Sequence, residues 1–218
     1  MELLREIDGY CKRLGPGYWA EPVNAITNAV FIIAAIVTWR RSGGIPLARA
    51  LAVVLFAIGA GSYLFHTHAQ VWAAILDVSP ILAFILLYIF AVNRDVLGMP
   101  TWGAGLGVVL FFPFAALTVP LWQNVPVYGV SAGYMPVPAL ILIYAALLWL
   151  RHPAVARGLL LGLVILMVSL ALRGMDEAVC PQFPLGTHFA WHILNGIMLG
   201  WMIEVYRRHA LEGGKVAR

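Results

Sequence analysis

Charge is scarce in this sequence. Ten acids and 14 bases make up only 11% of its 218 residues, where a soluble domain carries about 25%. That scarcity excludes an ordinary water-solvated globule. Internal repeats, low-complexity tracts and long linkers are also missing, so nothing divides the chain into domains and nothing suggests a repeat-built transporter. The first twenty residues, MELLREIDGYCKRLGPGYWA, mix charges of both signs and lack an apolar stretch of about 7–15 residues. No cleavable signal peptide is expected there. The net charge of +4 does not point to nucleic acid, because the basic residues fall in short loops and the tail.

Apolar side chains are plentiful. They make up 62% of the chain, and the mean hydropathy is +0.87. Lipid is the solvent that fits such a composition. A spanning helix needs about 20 residues, and apolar runs fall at 21–39, 47–66, 71–92, 100–122, 128–150, 154–172 and 187–206. These predict an all-α, seven-helix transmembrane bundle filling 1–218 as one domain, with an outer segment 1–20 and a tail 207–218. The count drops to six if the fourth run, which contains Pro113, is re-entrant. Pro113, Pro136 and Pro138 are expected inside kinked spans.

The basic residues set the orientation. With seven spans, Arg40, Arg41, Arg49, Arg94, Arg151, Arg157, Arg207, Arg208, Lys215 and Arg218 share one side. Arg5, Lys12, Arg13 and Arg173 share the other. The richer side is expected to be cytoplasmic, which places the N-terminus outside and the C-terminus inside. Cys11 and Cys180 then both face the oxidising side, where they could pair or remain two unrelated thiols. Trp19, Trp72, Trp102 and Trp122 sit near span ends, as interfacial anchors do.

Ionisable residues inside spans are costly and are functional candidates. Ser62 and His66 are four apart near the outer end of the second run, on one helix face. Asp77 lies about two turns into the third. His188 and His192 are four apart at the start of the seventh, and Asn195 continues their face. The predicted topology brings Ser62, His66, Asp77, His188 and His192 to one depth. Three histidines suit a catalytic zinc ion, which takes three protein ligands and leaves one position open. Asp77 could take a proton from the attacking water, and Ser62 could donate to the developing oxyanion. The bland alternative is a set of helix–helix hydrogen bonds. His68 is expected in a loop beyond the helix end, and His152 and His209 on the solvated cytoplasmic side.

Glu21, Asn24 and Asn28 form a polar stripe on the first span, with Asp8 near in sequence. Oxygen ligands of this kind suit calcium, and a capping and packing network is the equal alternative.

Three stretches, IDGYCKRLGPGYWAEPVNAITNAVF, GSYLFHTHAQVWAAILDVSPI and THFAWHILNGIMLG, resemble the alkaline ceramidases. The similarity is to their bacterial relatives, in the superfamily that includes the adiponectin receptors. The resemblance implies a multi-pass protein of the bacterial inner membrane that hydrolyses the ceramide amide to a sphingoid base and a fatty acid. It implies zinc on His66, His188 and His192, with Asp77 activating water, Ser62 as oxyanion partner and a Cys11–Cys180 disulfide. Calcium at Asp8 and Glu21 is also implied, although Lys12 stands where eukaryotic members carry an acid. Another N-acyl lipid or phospholipid could serve as substrate. A non-catalytic receptor with a structural zinc is the remaining alternative.

Overall fold

The computed structural model describes residues 2–7, 9–11, 15 and 17–216, with the backbone alone for 214–216. Its regular structure is helical, with no strand among the described residues. The elements are α1 (Pro22–Thr27), α2 (Ala29–Arg41), α3 (Pro46–His68), α4 (Val71–Ala91), α5 (Thr101–Trp122), α6 (Pro136–Leu148), α7 (Pro153–Val179) and α8 (His188–Val216). A π-helical turn, Val92–Val96, extends α4, and a 3₁₀ turn, Gly129–Tyr134, precedes α6. Among the described residues, five stretches are long and apolar enough to cross a membrane: Pro22–Arg41, Pro46–His68, Val71–Val96, Thr101–Trp122 and Pro153–Val179.

The helices differ from the predicted runs in four places. The first run is α1 and α2 in series, interrupted at Asn28. There the Thr27 hydroxyl donates to the Val23 and Asn24 carbonyls, and the Asn28 amide donates to the Asn24 carbonyl. Such side chains compete with the backbone ladder and break it locally. The fourth run, with Pro113 and Pro120 inside it, is continuous helix α5 and not a re-entrant loop. The fifth run is not one kinked span. Its first part is the 3₁₀ turn, and Pro136 opens α6 at the position where a missing N–H costs nothing. The last two helices overrun their predicted ends. α7 reaches Val179 and α8 reaches Val216, so most of the predicted tail is helix.

Helix α3 lies at the centre, packed against α1, α2, α4 and α8, while α7 bridges α6 and α8. Small residues permit the tightest of these approaches. At Gly61 a side chain would run into the Leu76 carbonyl of α4. α5 is the most peripheral helix. Only Gly103, Ala104 and Phe111 are buried along it, and Val109, Leu110, Phe112, Leu117 and Leu121 face outward.

Each end of the bundle has its own polar closure. At the α2 and α8 C-terminal end, buried Glu204 accepts from Arg41 (3.0 Å), Arg207 (2.8 Å) and Arg208 (2.7 Å). Asp95 pairs with Arg94 and accepts from the Tyr206 hydroxyl. His152 and His209, both part-exposed, meet edge to face with centroids 4.8 Å apart, and His209 bonds the Asp95 carbonyl at 3.2 Å. At the other end the N-terminal segment runs along the α3–α4 turn. Ile7 N–H donates to the Ala69 carbonyl at 2.7 Å, and Val71 N–H to that of Arg5 at 3.1 Å.

Candidate metal centre

The histidine cluster sits under this second closure. His66 lies in the last turns of α3, and His188 and His192 in the first two turns of α8. All three are fully buried, and each offers a ring nitrogen within 4.8 Å of the others. Ring centroids are 5.1 Å apart for His66–His188, 4.7 Å for His66–His192 and 4.6 Å for His188–His192. The three rings converge on one point.

Hydrogen bonds at the back of the rings decide which nitrogens face that point. Glu21 Oε2 takes the His66 Nδ1 proton at 2.7 Å. The Thr27 hydroxyl proton is committed to backbone carbonyls, so its oxygen accepts from His192 Nδ1 at 3.0 Å. That leaves both Nε2 atoms as lone pairs. His66 Nε2, His188 Nδ1 and His192 Nε2 are buried without a hydrogen-bond partner among the described residues. Buried ring nitrogens are ordinarily satisfied, and three unpartnered imidazole nitrogens together are the donor set that zinc takes. A tetrahedral ion needs its nitrogens about 3.4 Å apart, a small contraction from this arrangement. The residues fit a metal.

Asp77, from α4, and Ser62, from the inner face of α3, are also buried. Asp77 Oδ1 and Ser62 Oγ have no hydrogen-bond partner of good geometry among the described residues. Asp77 lies beside the Ser62 hydroxyl and within electrostatic range of His66. It is not a member of the histidine donor set. Three ligands with a carboxylate alongside leave a coordination position open.

The polar stripe of span one runs beside the histidine cluster. Glu21 faces His66 and accepts from Asn24 at 3.2 Å, which places it behind the His66 ring. Asn28 bonds back to the Asn24 carbonyl. Asp8, the other expected calcium ligand, lies outside the described residues. His68 is the last residue of α3 and not part of a loop, and it points away from the cluster toward Tyr18 and Trp72. Cys11 and Cys180 lie at disulfide distance, with sulfurs 2.01 Å and Cα atoms 5.6 Å apart.

Three residues at the site escape a reading of the sequence. Buried Asp176 accepts from the backbone N–H groups of Cys11 (2.8 Å), Thr187 (2.6 Å) and His188 (2.9 Å). It holds the start of α8 and the N-terminal segment with one carboxylate, a favourable place for a negative charge. Tyr10 lies on the His188 ring, with centroids 3.7 Å apart. Burial pushes its hydroxyl above the ordinary tyrosine value, against the opposing pull of Arg173. The Arg173 guanidinium stands over the Tyr10 and Tyr134 rings at 6.0 and 5.3 Å. The predicted sixth run stops at residue 172, so Arg173 and Asp176 read as loop charges. The available signal was an acid one helical turn before Cys180.

A narrow apolar cavity opens beside the site between α4, α6 and α8. Trp191, Asn195 and Tyr134 line its near end. Ile85, Val137, Met198 and Leu199 are shared with a second cavity that continues toward Tyr88 and Met202. The two cavities form a narrow apolar slot that runs along α4, α6 and α8.

A family profile described as Ceramidase matches residues 16–215. No curated protein matches the chain.

Proposed function

The chain belongs to the ceramidase family, and on that premise we propose that it is a zinc-dependent hydrolase of N-acyl lipid amides, ceramide among them. In this reading it is a seven-crossing bundle, α1 and α2 together making the first crossing, with its N-terminus outside. The observation that carries the reading is the convergence of three buried, unpartnered imidazole nitrogens next to a buried carboxylate and a buried hydroxyl.

His66, His188 and His192 would hold the ion, which supplies Lewis acidity to polarise the amide carbonyl and acidify water. Glu21 and Thr27 fix two of the rings in the tautomer that presents Nε2. Asp77 takes a proton from water as the oxygen bonds to the carbonyl carbon, and Ser62 donates to the carbonyl oxygen as it gains charge. The carbon–nitrogen bond then breaks. Asp77 delivers its proton to the departing amine, and a free fatty acid remains. The acyl chain lies in the slot past Trp191, which excludes water from all but the reacting end.

A receptor with a structural zinc has less support, since a closed site needs a fourth protein ligand and the cluster holds three histidines. The test is incubation of the purified, zinc-loaded protein with long-chain ceramides and mass spectrometry of the products. Equimolar sphingoid base and fatty acid are expected. No amine released from any N-acyl lipid would end the proposal.

A further inference from the structure

Arg173 is placed for more than packing. It is half-buried near the end of α7, and no carboxylate lies within ion-pair distance of it among the described residues. Nη1 donates to the Val130 carbonyl (3.2 Å) and the Ser131 hydroxyl (3.1 Å), and the guanidinium also bonds the Tyr10 hydroxyl. The nearest acid on its own helix, Asp176, is occupied by three backbone N–H groups. Asp77 is within electrostatic range but forms no ion pair with it. No carboxylate among the described residues therefore neutralises this partly desolvated cation. Such a group is costly to bury unpaired and is strongly favoured when an anion meets it.

The surroundings say where that anion would come from. Tyr10 lies between the guanidinium and His188, its ring against the imidazole. Tyr134 lies between the guanidinium and the apolar slot. Arg173 is thus one aromatic ring away from the metal ligands and one from the slot's mouth. A lipid with its acyl chain in the slot and its amide at the histidines directs its amine-side head toward this cation.

We propose, resting on the hydrolase reading, that Arg173 binds an anionic group on the amine side of the substrate, a carboxylate or phosphate a few bonds from the scissile amide. The preferred substrates are then anionic N-acyl lipids, and a neutral ceramide is a poorer fit. Arg173 is a specificity determinant, and its planar fork suits either oxyanion.

The experiment compares N-palmitoylglycine, ceramide 1-phosphate and neutral N-palmitoylethanolamine. Each is followed by turnover on the zinc-loaded protein and by equilibrium binding to the metal-free protein. The wild type is expected to favour at least one anionic lipid, and the preferred arm tells carboxylate from phosphate. In Arg173→Gln the anionic-to-neutral ratio should fall about tenfold to a hundredfold, mainly through KM, as expected for a lost charge-assisted contact. Arg173→Lys should recover part of it. An equal ratio in wild type and Arg173→Gln overturns the proposal, whatever the absolute rates. If no lipid is hydrolysed but the anionic preference in binding persists and vanishes in Arg173→Gln, the hydrolase reading fails and the anion site stands.

Discussion

At the scale of the residue, two carboxylates behind the histidines do separate work. Glu21 acts on a ring. Its acceptance of the His66 Nδ1 proton raises the basicity of Nε2 and fixes the ring plane. Glu21→Gln keeps the shape but removes the charge, and zinc affinity should fall about tenfold to a hundredfold, read by competition with a chromophoric chelator. Unchanged affinity would mean that His66 is not oriented through Glu21. Asp176 acts on backbone. In Asp176→Asn, one of its oxygens becomes an NH₂ facing N–H donors, so at least one of the three bonds is lost. Melting in detergent should then show a loss of about 2–4 kcal/mol. Zinc affinity should weaken too, since His188 N–H is one of the donors. Asp77 differs from both. Asp77→Asn should leave the zinc stoichiometry at one per chain and remove turnover, whereas His188→Ala should lose both. A variant Asp77→Asn that no longer holds zinc would make Asp77 a ligand and weaken its role as base.

At the scale of the element, the core of the site was legible because it follows helical periodicity. Ser62 and His66, and likewise His188 and His192, are four apart, and that spacing alone puts each pair on one face. The topology then brings the two faces together. Helix ends were less legible, because apolar runs show where lipid is and not where hydrogen bonding stops. α7 continues past residue 172 since Arg173 and Asp176 find partners on the 3₁₀ turn and on α8, a tertiary fact whose one local hint is the acid a helical turn before Cys180. α6 begins late because Pro136 fits a first turn. The bond from His66 to Glu21 was not legible because the two residues are 45 apart in sequence. The packing of α3 on α4 gives a prediction at the same scale. In Gly61→Ala the new methyl meets the Leu76 carbonyl, a backbone atom that cannot turn aside. A cost of about 1–3 kcal/mol is expected. Gly105→Ala, in open space on α5, should be neutral or stabilising by up to about 1 kcal/mol. Equal melting temperatures for the two variants would mean that α3 and α4 are not in close contact.

At the scale of the whole molecule, the two ends differ in charge and in cysteine content, which supports the proposed orientation in the membrane. Arg40, Arg41, Arg94, Arg151, Arg157, Arg207 and Arg208 gather at the end closed by Glu204, far from the histidines. The histidine end carries Cys11 and Cys180 at bonding distance, with the N-terminal segment held across the mouth. In the proposed orientation the charge-rich end faces the cytoplasm, and the cysteine pair faces the oxidising side, where a disulfide persists. The two arguments use different residues and agree. A membrane-impermeant maleimide added to intact cells should therefore leave the protein unlabelled until a reductant is supplied. It should then modify both cysteines without permeabilisation. Labelling that needs a permeabilised membrane would invert the bundle and put the histidines at the cytoplasmic leaflet. The lipids able to reach the slot would then be those of the inner face, and an anionic head at Arg173 would have to come from that pool.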